Sequence, residues 1–306
     1  MILCAGEALI DMLPRQSTQG EDAYAPYAGG AVFNTAIALG RLGATTSFFS
    51  GFSADFFGDL LKEKLAESGV DATLAVTTER PCTVAFVKLV DGHATYAFYD
   101  EATAGRMLSE ADLPILPDRV EAVFCGGISL PVEPCGAVYE SLFVGASDTR
   151  VTMLDPNIRP SFIRDEARYR ARIEHMLAHA DIVKVSDEDL AWIVGQGDLD
   201  AQVQGLLAKG PKLVCLTMGG DGVRGYTTRG AVDVAAQKVT VVDTVGAGDT
   251  FNAGLLASLQ SAGKLTKEAI ATLDDDSLRA ALDLGARAAA VTVSRAGANP
   301  PWAKEL

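Results

Sequence analysis

From about residue 120 onward, short apolar runs alternate with longer helical ones, and this rhythm limits the possible folds more than any other feature of the chain. Ala122–Cys125, Val151–Leu154, Asp181–Val185 and Lys212–Thr217 read as strands. Between and beside them, Val132–Ala146, Arg164–Ala178 and segments within Asp187–Val194 and Asp200–Ala208 read as helices. Strands joined in this way run parallel, because each crossover helix carries the chain back to the end of the sheet where the previous strand began. The pattern predicts an α/β fold: a central, mostly parallel sheet with helices on both faces and ligands gathered beyond the carboxyl ends of the strands. With 306 residues, 48% of them hydrophobic, the chain can build one large domain of this kind or two smaller ones.

The first third is less regular. Met1–Ala5 reads as a short buried strand, and Met12–Ala28 has no helical period. Ala31–Leu42 reads as a helix opened by Gly29-Gly30 and ended by Gly43, and Asp55–Ser68 as a second helix stopped by Gly69. Thr83–Val90 and His93–Tyr99 are β-rich runs around Asp91-Gly92, a strong hairpin signal that breaks the strand–helix rhythm. Near the end, Val239–Val242 reads as a strand, and Val245–Leu259 and Leu278–Val293 as helices. Asp274-Asp275-Asp276 invites a metal reading, but acidic residues also favour a helix start, and the second reading is preferred.

Net charge is −14, which argues against nucleic acid as a partner, since an acidic surface repels phosphate backbones. Five cysteines with loose spacing and no C-x-x-C pattern read as buried apolar residues in a reducing compartment. The opening MILCAGEALIDMLP has no basic leader, and no apolar run reaches the ~18 residues of a membrane span, so a cytoplasmic protein with no membrane partner is expected.

Asp243-Thr244-Val245-Gly246-Ala247-Gly248-Asp249-Thr250-Phe251 carries the most chemistry. It lies at a predicted strand–helix junction. The small residues Gly246, Ala247 and Gly248 let an anion approach N–H groups at a helix start, where the dipole favours negative charge. Asp249 follows at once. A carboxylate placed there either caps the helix or takes a proton from a hydroxyl that attacks the bound phosphoryl group, and the second role explains the placement better.

Together with three other segments, DTVGAGDTF resembles the ribokinase-like (PfkB-type) carbohydrate kinases, whose second signature it matches. Ala28-Gly29-Gly30-Ala31-Val32-Phe33-Asn34-Thr35-Ala36 resembles their first signature, and Gly6-Glu7 through Asp11 their opening strand and sugar-contacting Asp. Thr217-Met218-Gly219-Gly220-Asp221-Gly222 resembles their T-x-G-x-x-G nucleotide segment. The likeness covers nearly the whole chain. It implies a single three-layer α/β/α domain over 1–306 with a small β lid formed by about 12–28 and 83–100.

The resemblance also implies an ATP-dependent sugar kinase using Mg²⁺. Asp249 would be the base, Gly246, Ala247 and Gly248 the anion hole, and Asp11, Gly29, Gly30 and Asn34 the holders of sugar hydroxyls. Thr217, Gly219, Gly222, Lys184 and Ser186 would meet the nucleotide. Tyr96, Phe98 and Tyr99 either face the substrate or pack the hairpin. Asp155-Pro156-Asn157-Ile158-Arg159 resembles the D-x-N-x-R of fructokinases and 2-keto-3-deoxygluconate kinases, with Arg159 meeting phosphate or substrate. The family's N-x-x-E is replaced by Ser186-Asp187-Glu188-Asp189, so Asp189 would serve Mg²⁺ as a shorter carboxylate, acting through water. By resemblance, Asp243 and the 292–299 loop would hold a monovalent cation such as K⁺, and the lid would support a homodimer. Fructose is the preferred acceptor, ahead of a keto-deoxy sugar acid, for which Asp100 is adverse by charge, and of ribose or a nucleoside.

Three rivals are weaker. Gly220–Gly225 fits G-x-G-x-x-G but is followed by strand-like residues rather than the helix a dinucleotide site needs. His175 and His179 have zinc-like spacing with no acidic base between them. A non-catalytic sugar- or nucleotide-binding regulator would have no need of Asp249.

Overall fold

The computed structural model describes residues 1–90 and 93–306, and of residues 89, 90, 93 and 94 the backbone alone. The first half holds β1 (Ile2–Ala5), β2 (Leu9–Gln16), β3 (Asp22–Gly29), α1 (Ala31–Arg41), β4 (Thr46–Phe49), β5 (Gly51–Ser53), α2 (Phe56–Glu67), β6 (Val76–Thr78), β7 (Val84–Val90) and β8 (His93–Tyr99). The alternating region follows with β9 (Ala122–Gly126), α3 (Cys135–Ala146), β10 (Val151–Asp155), α4 (Glu166–Ala178), β11 (Ile182–Ser186), α5 (Asp187–Val194), α6 (Leu199–Leu207) and β12 (Leu213–Thr217). The chain closes with β13 (Val223–Thr227), β14 (Gly230–Val234), α7 (Ala247–Ser261), α8 (Lys267–Ala271) and α9 (Asp275–Val293).

The main sheet runs β14-β13-β12-β11-β10-β9-β1-β4. It is parallel from β12 to β4 and antiparallel where β13 and β14 extend it. Neighbouring residues on its strands enter different cores. Ile2, Cys4, Phe124, Met153 and Leu213 pack with α1, α7 and α9, while Leu3, Val123, Cys125, Leu154 and Val214 pack with α3, α4 and α6. Both faces are thus sealed from water, which is why these strands are apolar throughout rather than alternating.

A second sheet, β3-β2-β7-β8, stands over the carboxyl ends of the first. β2 and β3 form an antiparallel hairpin from Leu9–Gly29 to Gln16–Asp22, and β7 and β8 form another, the two joined by the parallel pair Ile10–Val84. The Asp91-Gly92 turn expected for the second hairpin lies outside the described residues. β5 and β6 pair separately.

Helix ends follow local chemistry. Asp55, Asp165, Asp198 and Asp274 each cap a helix by accepting from a backbone N–H two or three residues ahead, so the 274–276 cluster opens α9. The expected strand at Val239–Val242 does not form. Val239, Val241 and Val242 are exposed, and the segment is held to the end of α9 through Val242 N–H and Val293 O. Branched side chains favour strands through packing on a half-buried sheet, and here no strand lies alongside. In contrast β4 is a fully buried strand at the sheet edge that the sequence reading passed over. α7 starts at Ala247, two residues later than expected, because Gly246 precedes it with φ of 79°.

Candidate active site

A cleft of about 1700 Å³ separates the lid from the carboxyl ends of the parallel strands. Glu7 follows β1, Asn157 and Arg159 follow β10, Ser186 ends β11, Thr217 ends β12, and all five line the cleft. The lid contributes Asp11, Tyr96 and Phe98, and the chain entering α7 contributes Thr244 through Asp249. The structure therefore brings Asp11, Gly30, Asn34, Phe98, Arg159, Lys184, Ser186, Asp189, Thr217 and Gly246–Asp249 around one space. Gly29, Gly219, Gly222 and Asp243 lie outside its lining.

The glycines have steric reasons to be there. A Cβ on Gly29 would lie 2.3 Å from Asp11 Oδ2, and one on Gly30, at φ 109°, would lie 2.9 Å from Glu7 O. The Gly29-Gly30 pair thus lets the lid strand close on the Asp11 carboxylate and the start of α1 close on the Glu7 backbone. Glu7, whose role the sequence reading left open, accepts from Ala31 N–H at 3.0 Å and from Ser129 Oγ at 2.9 Å, tying the start of α1 to the loop after β9. Burial pushes its carboxyl up. The available signal was a lone charge at the end of an otherwise apolar strand.

Asp249 sits in the first turn of α7, 7% exposed. Its Oδ2 accepts from Asn34 Nδ2 at 3.0 Å, and its backbone oxygen accepts from Thr35 Oγ1 at 3.2 Å, so α1 and α7 fix it together. Its carboxyl is pushed up to about 7, chiefly by burial; Asp155 and Glu7 add to the rise while Asn34 and Lys184 oppose it. The preceding turn is narrower as an anion cradle than expected, because Ala247 N–H is turned back to Thr244 O at 3.3 Å. Among the described residues the N–H groups of Gly246 and Gly248 have no protein acceptor.

Asp11 faces the cleft from β2, its carboxyl pushed up to about 6 by burial, and no donor meets it among the described residues. A largely buried carboxylate without a donor suits hydroxyls supplied by a ligand. Asn34 adds amide donors, and its side chain reaches Asp249. Arg159 lines the cleft, with Nη1 donating to its neighbour's oxygen, Ile158 O, at 2.9 Å. Arg106 is engaged by Asp100 at 3.4 Å and Glu133 O at 3.0 Å.

Lys184 Nζ donates to Asp155 Oδ2 at 3.2 Å, and a Cβ on Gly248 would lie 3.0 Å from that Nζ. Burial alone would depress the ammonium, but Asp155 and Asp189 hold it above its usual range. Ser186 caps α5 through a reciprocal box with Asp189. Asp189 Oδ2 accepts from Ser186 Oγ at 2.8 Å and Oδ1 from Ile158 N–H at 2.8 Å, so both oxygens already have protein donors. Among the described residues no three His, Cys, Asp or Glu side chains cluster to hold a metal ion. Asp243 accepts from Val245 N–H at 3.0 Å and Gly297 N–H at 2.9 Å, pinning the 243 loop to the loop after α9.

The remaining motifs lie elsewhere. His175 contacts Glu140 at 2.7 Å on the outer face of α4. Gly220–Gly225 runs into β13, so no helix opens there. Cys4, Cys82, Cys125, Cys135 and Cys215 are buried and unpaired. Among the described residues no helix is long and apolar enough to cross a membrane.

The sequence pattern of the pfkB family carbohydrate kinases matches residues 1–305. A fructokinase of Rhizobium leguminosarum bv. trifolii is 58% identical over 279 residues, covering 91% of this chain and 86% of its own. Fructokinase-2 of Oryza sativa subsp. japonica is 32% identical across 98% of this chain and 90% of its own. The crystal structure of a Xylella fastidiosa fructokinase with bound ATP superposes with a TM-score of 0.87 at 29% identity, covering 97% of this chain and 93% of that one.

Proposed function

The chain belongs to the pfkB family of carbohydrate kinases and is an ATP-dependent sugar kinase, and we propose that fructose is its acceptor and Asp249 its catalytic base. One observation carries the assignment of the base. Asp249 is the buried carboxylate beside the unpartnered amides at the start of α7, with its proton affinity raised to about 7, where a general base works best near neutral pH. The 58% identity to a fructokinase supports fructose. Arg106 is engaged by Asp100 and so is withdrawn from an acidic sugar, whereas Arg159 has no acidic partner among the described residues and would be the residue to meet one.

In this reading Asp11, with Gly29 and Gly30 shaping the wall behind it and Asn34 opposite, fixes the sugar so that one hydroxyl points at Asp249. Asp249 takes that hydroxyl's proton as oxygen attacks the terminal phosphorus. Gly246 and Gly248 N–H groups receive the growing negative charge, with Lys184 beside them, and Ala247 keeps the turn in shape. Most of the catalysis is then positioning and preorganised charge. Thr217, Ser186 and the Gly219–Gly222 turn support the nucleotide, and Phe98 and Arg159 close on the sugar side. The lid excludes water that would otherwise accept the phosphoryl group.

Mg²⁺ bound with ATP would neutralise phosphate charge, and Asp189, whose two oxygens already accept from Ile158 N–H and Ser186, would be the residue to hold it through water. A monovalent cation at Asp243 and the 292–299 loop is proposed from the family resemblance, and Asp243, whose oxygens accept from Val245 and Gly297 N–H, ties the two loops that would surround it. A homodimer through the lid is proposed from the exposed Tyr24, Tyr27, Tyr96 and Tyr99, and a cytoplasmic setting from the five unpaired cysteines.

The test is ATP-dependent ADP release with fructose, 2-keto-3-deoxygluconate, ribose and adenosine, in the native enzyme and in Asp249→Asn. Turnover on fructose that disappears in Asp249→Asn is expected. Preference for another sugar overturns the acceptor, and retained turnover in the variant overturns the base.

A further inference from the structure

Two buried acceptors near the proposed base, Asp155 Oδ1 and Asn252 Oδ1, have no hydrogen-bond partner among the described residues. Both belong to a cluster drawn from three elements. Asp155 ends β10, Lys184 lies on β11, and Asn252 lies three residues beyond Asp249 in α7. Asp155 Oδ2 accepts from Asn252 Nδ2 at 2.6 Å and from Lys184 Nζ at 3.2 Å. All three side chains are buried. The ammonium also lies against the turn that opens α7, where even a methyl on Gly248 would crowd it at 3.0 Å.

This places a buried cation close to a buried base. An ammonium and a carboxylate that share a desolvated site stabilise each other's charged forms most when they pair directly. Direct pairing would hold Asp249 as a carboxylate with little tendency to take a proton. The structure shows another arrangement: the hydrogen bond of Lys184 goes to Asp155, and that of Asp249 comes from Asn34. Asp155 has only one of its oxygens engaged, and that oxygen is the one shared by Lys184 and Asn252.

We propose that Asp155, clamped by Asn252, is a positioning residue that tethers Lys184 at the Gly248 turn, facing the transferred phosphoryl group, and keeps it from pairing with Asp249. The proposal rests on Asp249 being the base. The charged groups that face Asp249 are Glu7 after β1, Asp155 on β10 and Lys184 on β11, with the neutral Asn34 on α1. Removing the Asp155 charge takes away a repulsive neighbour and frees the ammonium to move to Asp249. Both changes make Asp249 easier to ionise and a weaker base.

The test is the pH profile of kcat/KM for the sugar at saturating MgATP in native enzyme, Asp155→Asn, Asn252→Leu and the double variant Asp155→Asn/Lys184→Met. Melting temperature and titrated active sites are followed in parallel. In Asp155→Asn the acid limb should move down by about one pH unit, and kcat at pH 8 should fall roughly 10–100-fold, while KM for ATP changes less. Adding Lys184→Met should bring the limb back up. An unmoved limb in folded Asp155→Asn, with kcat lost only in proportion to active sites, overturns the tether, as does a double variant whose limb stays where Asp155→Asn put it. If Asp155→Asn does not fold, Asn252→Leu decides: a limb moved the same way sustains the proposal and a limb in place overturns it. Asp249→Asn separates the two levels. Turnover surviving there removes the base itself, whereas its loss beside an unmoved Asp155→Asn limb removes only the tether.

Discussion

Asp249 on the floor of the cleft is 7% exposed and takes a hydrogen bond from Asn34, whereas Asp11 on the lid faces the same space with no donor among the described residues. The contrast extends to their surroundings. Around Asp249 stand Asp155, Asn252 and Lys184, all 5% exposed or less, with Lys184 from β11 and Asn252 from α7 both donating to Asp155 at the end of β10. On the lid, Tyr24, Tyr27, Tyr96 and Tyr99 are between 44% and 64% exposed. A floor whose dipoles are fixed before substrate arrives suits the stabilisation of charge that develops during transfer. A lid with exposed aromatic side chains suits adaptation to what it covers. On the proposed reading the floor carries the chemistry and the lid the choice of substrate, and that division can be broken from either side.

The largest effect should come from Asp249→Asn. The shape and the contact with Asn34 are nearly kept, so kcat should fall by about three decades or more while ATP affinity, measured by calorimetry, changes little. A comparable loss of ATP binding would mean that the residue shapes the nucleotide site instead. Next, Gly248→Val pushes branched carbons into the space beside Lys184 Nζ, where a Cβ alone would already lie 3.0 Å away. Displacing that ammonium and the adjacent amide by a fraction of an ångström should lower kcat about a hundredfold. A drop in sugar affinity alone would show that the floor and lid are not separable.

The sequence made the floor far more legible than the lid, for a physical reason. Gly246, Gly248 and Asp249 are neighbours in the chain, and the chemistry proposed for them follows from one local event, a glycine turn opening a helix. The same is true of Asp274, where three acidic residues announced a capped helix start. Residues that meet only through the sheet were harder. Asp155, Asn252 and Glu7 have contacts set by what the fold brings beside them from distant elements, and spacing along the chain carries no sign of that. Val239–Val242 misled because branched residues were read as a strand with no partner strand to pair with. Asp189 accepts from Ile158 N–H, a contact between the loop after β10 and α5 that spacing along the chain does not announce.

On the lid, Asp11→Asn should raise the sugar KM about tenfold or more, the worth of a charged hydrogen bond, and leave kcat within a few-fold. A large fall in kcat would place Asp11 with the floor. The pH profile sharpens the same division. Asp249 accepts a proton only as the carboxylate, so activity should rise as pH climbs through about 7, close to tenfold per pH unit well below that value. Asp11, pushed up only to about 6, should act at lower pH and on KM rather than on kcat.

The smallest effect expected is that of Phe98→Ala, and it probes the hinge between the two regions. Phe98 lies on β8 with its ring 4.4 Å from that of Phe162, edge to face, and 5.8 Å from that of Tyr96. Phe162 belongs to the turn just past Arg159, so this pair links the lid to the loop that leaves β10. An edge-to-face pair contributes about 0.5–1.5 kcal/mol beyond its buried area. If closure depends on it, the sugar KM should rise roughly two- to tenfold, with kcat and ATP binding unchanged. If ADP production in the absence of sugar rises instead, the ring's main service is to keep water away from the phosphoryl group, and the lid takes part in the chemistry as well as in the choice of substrate.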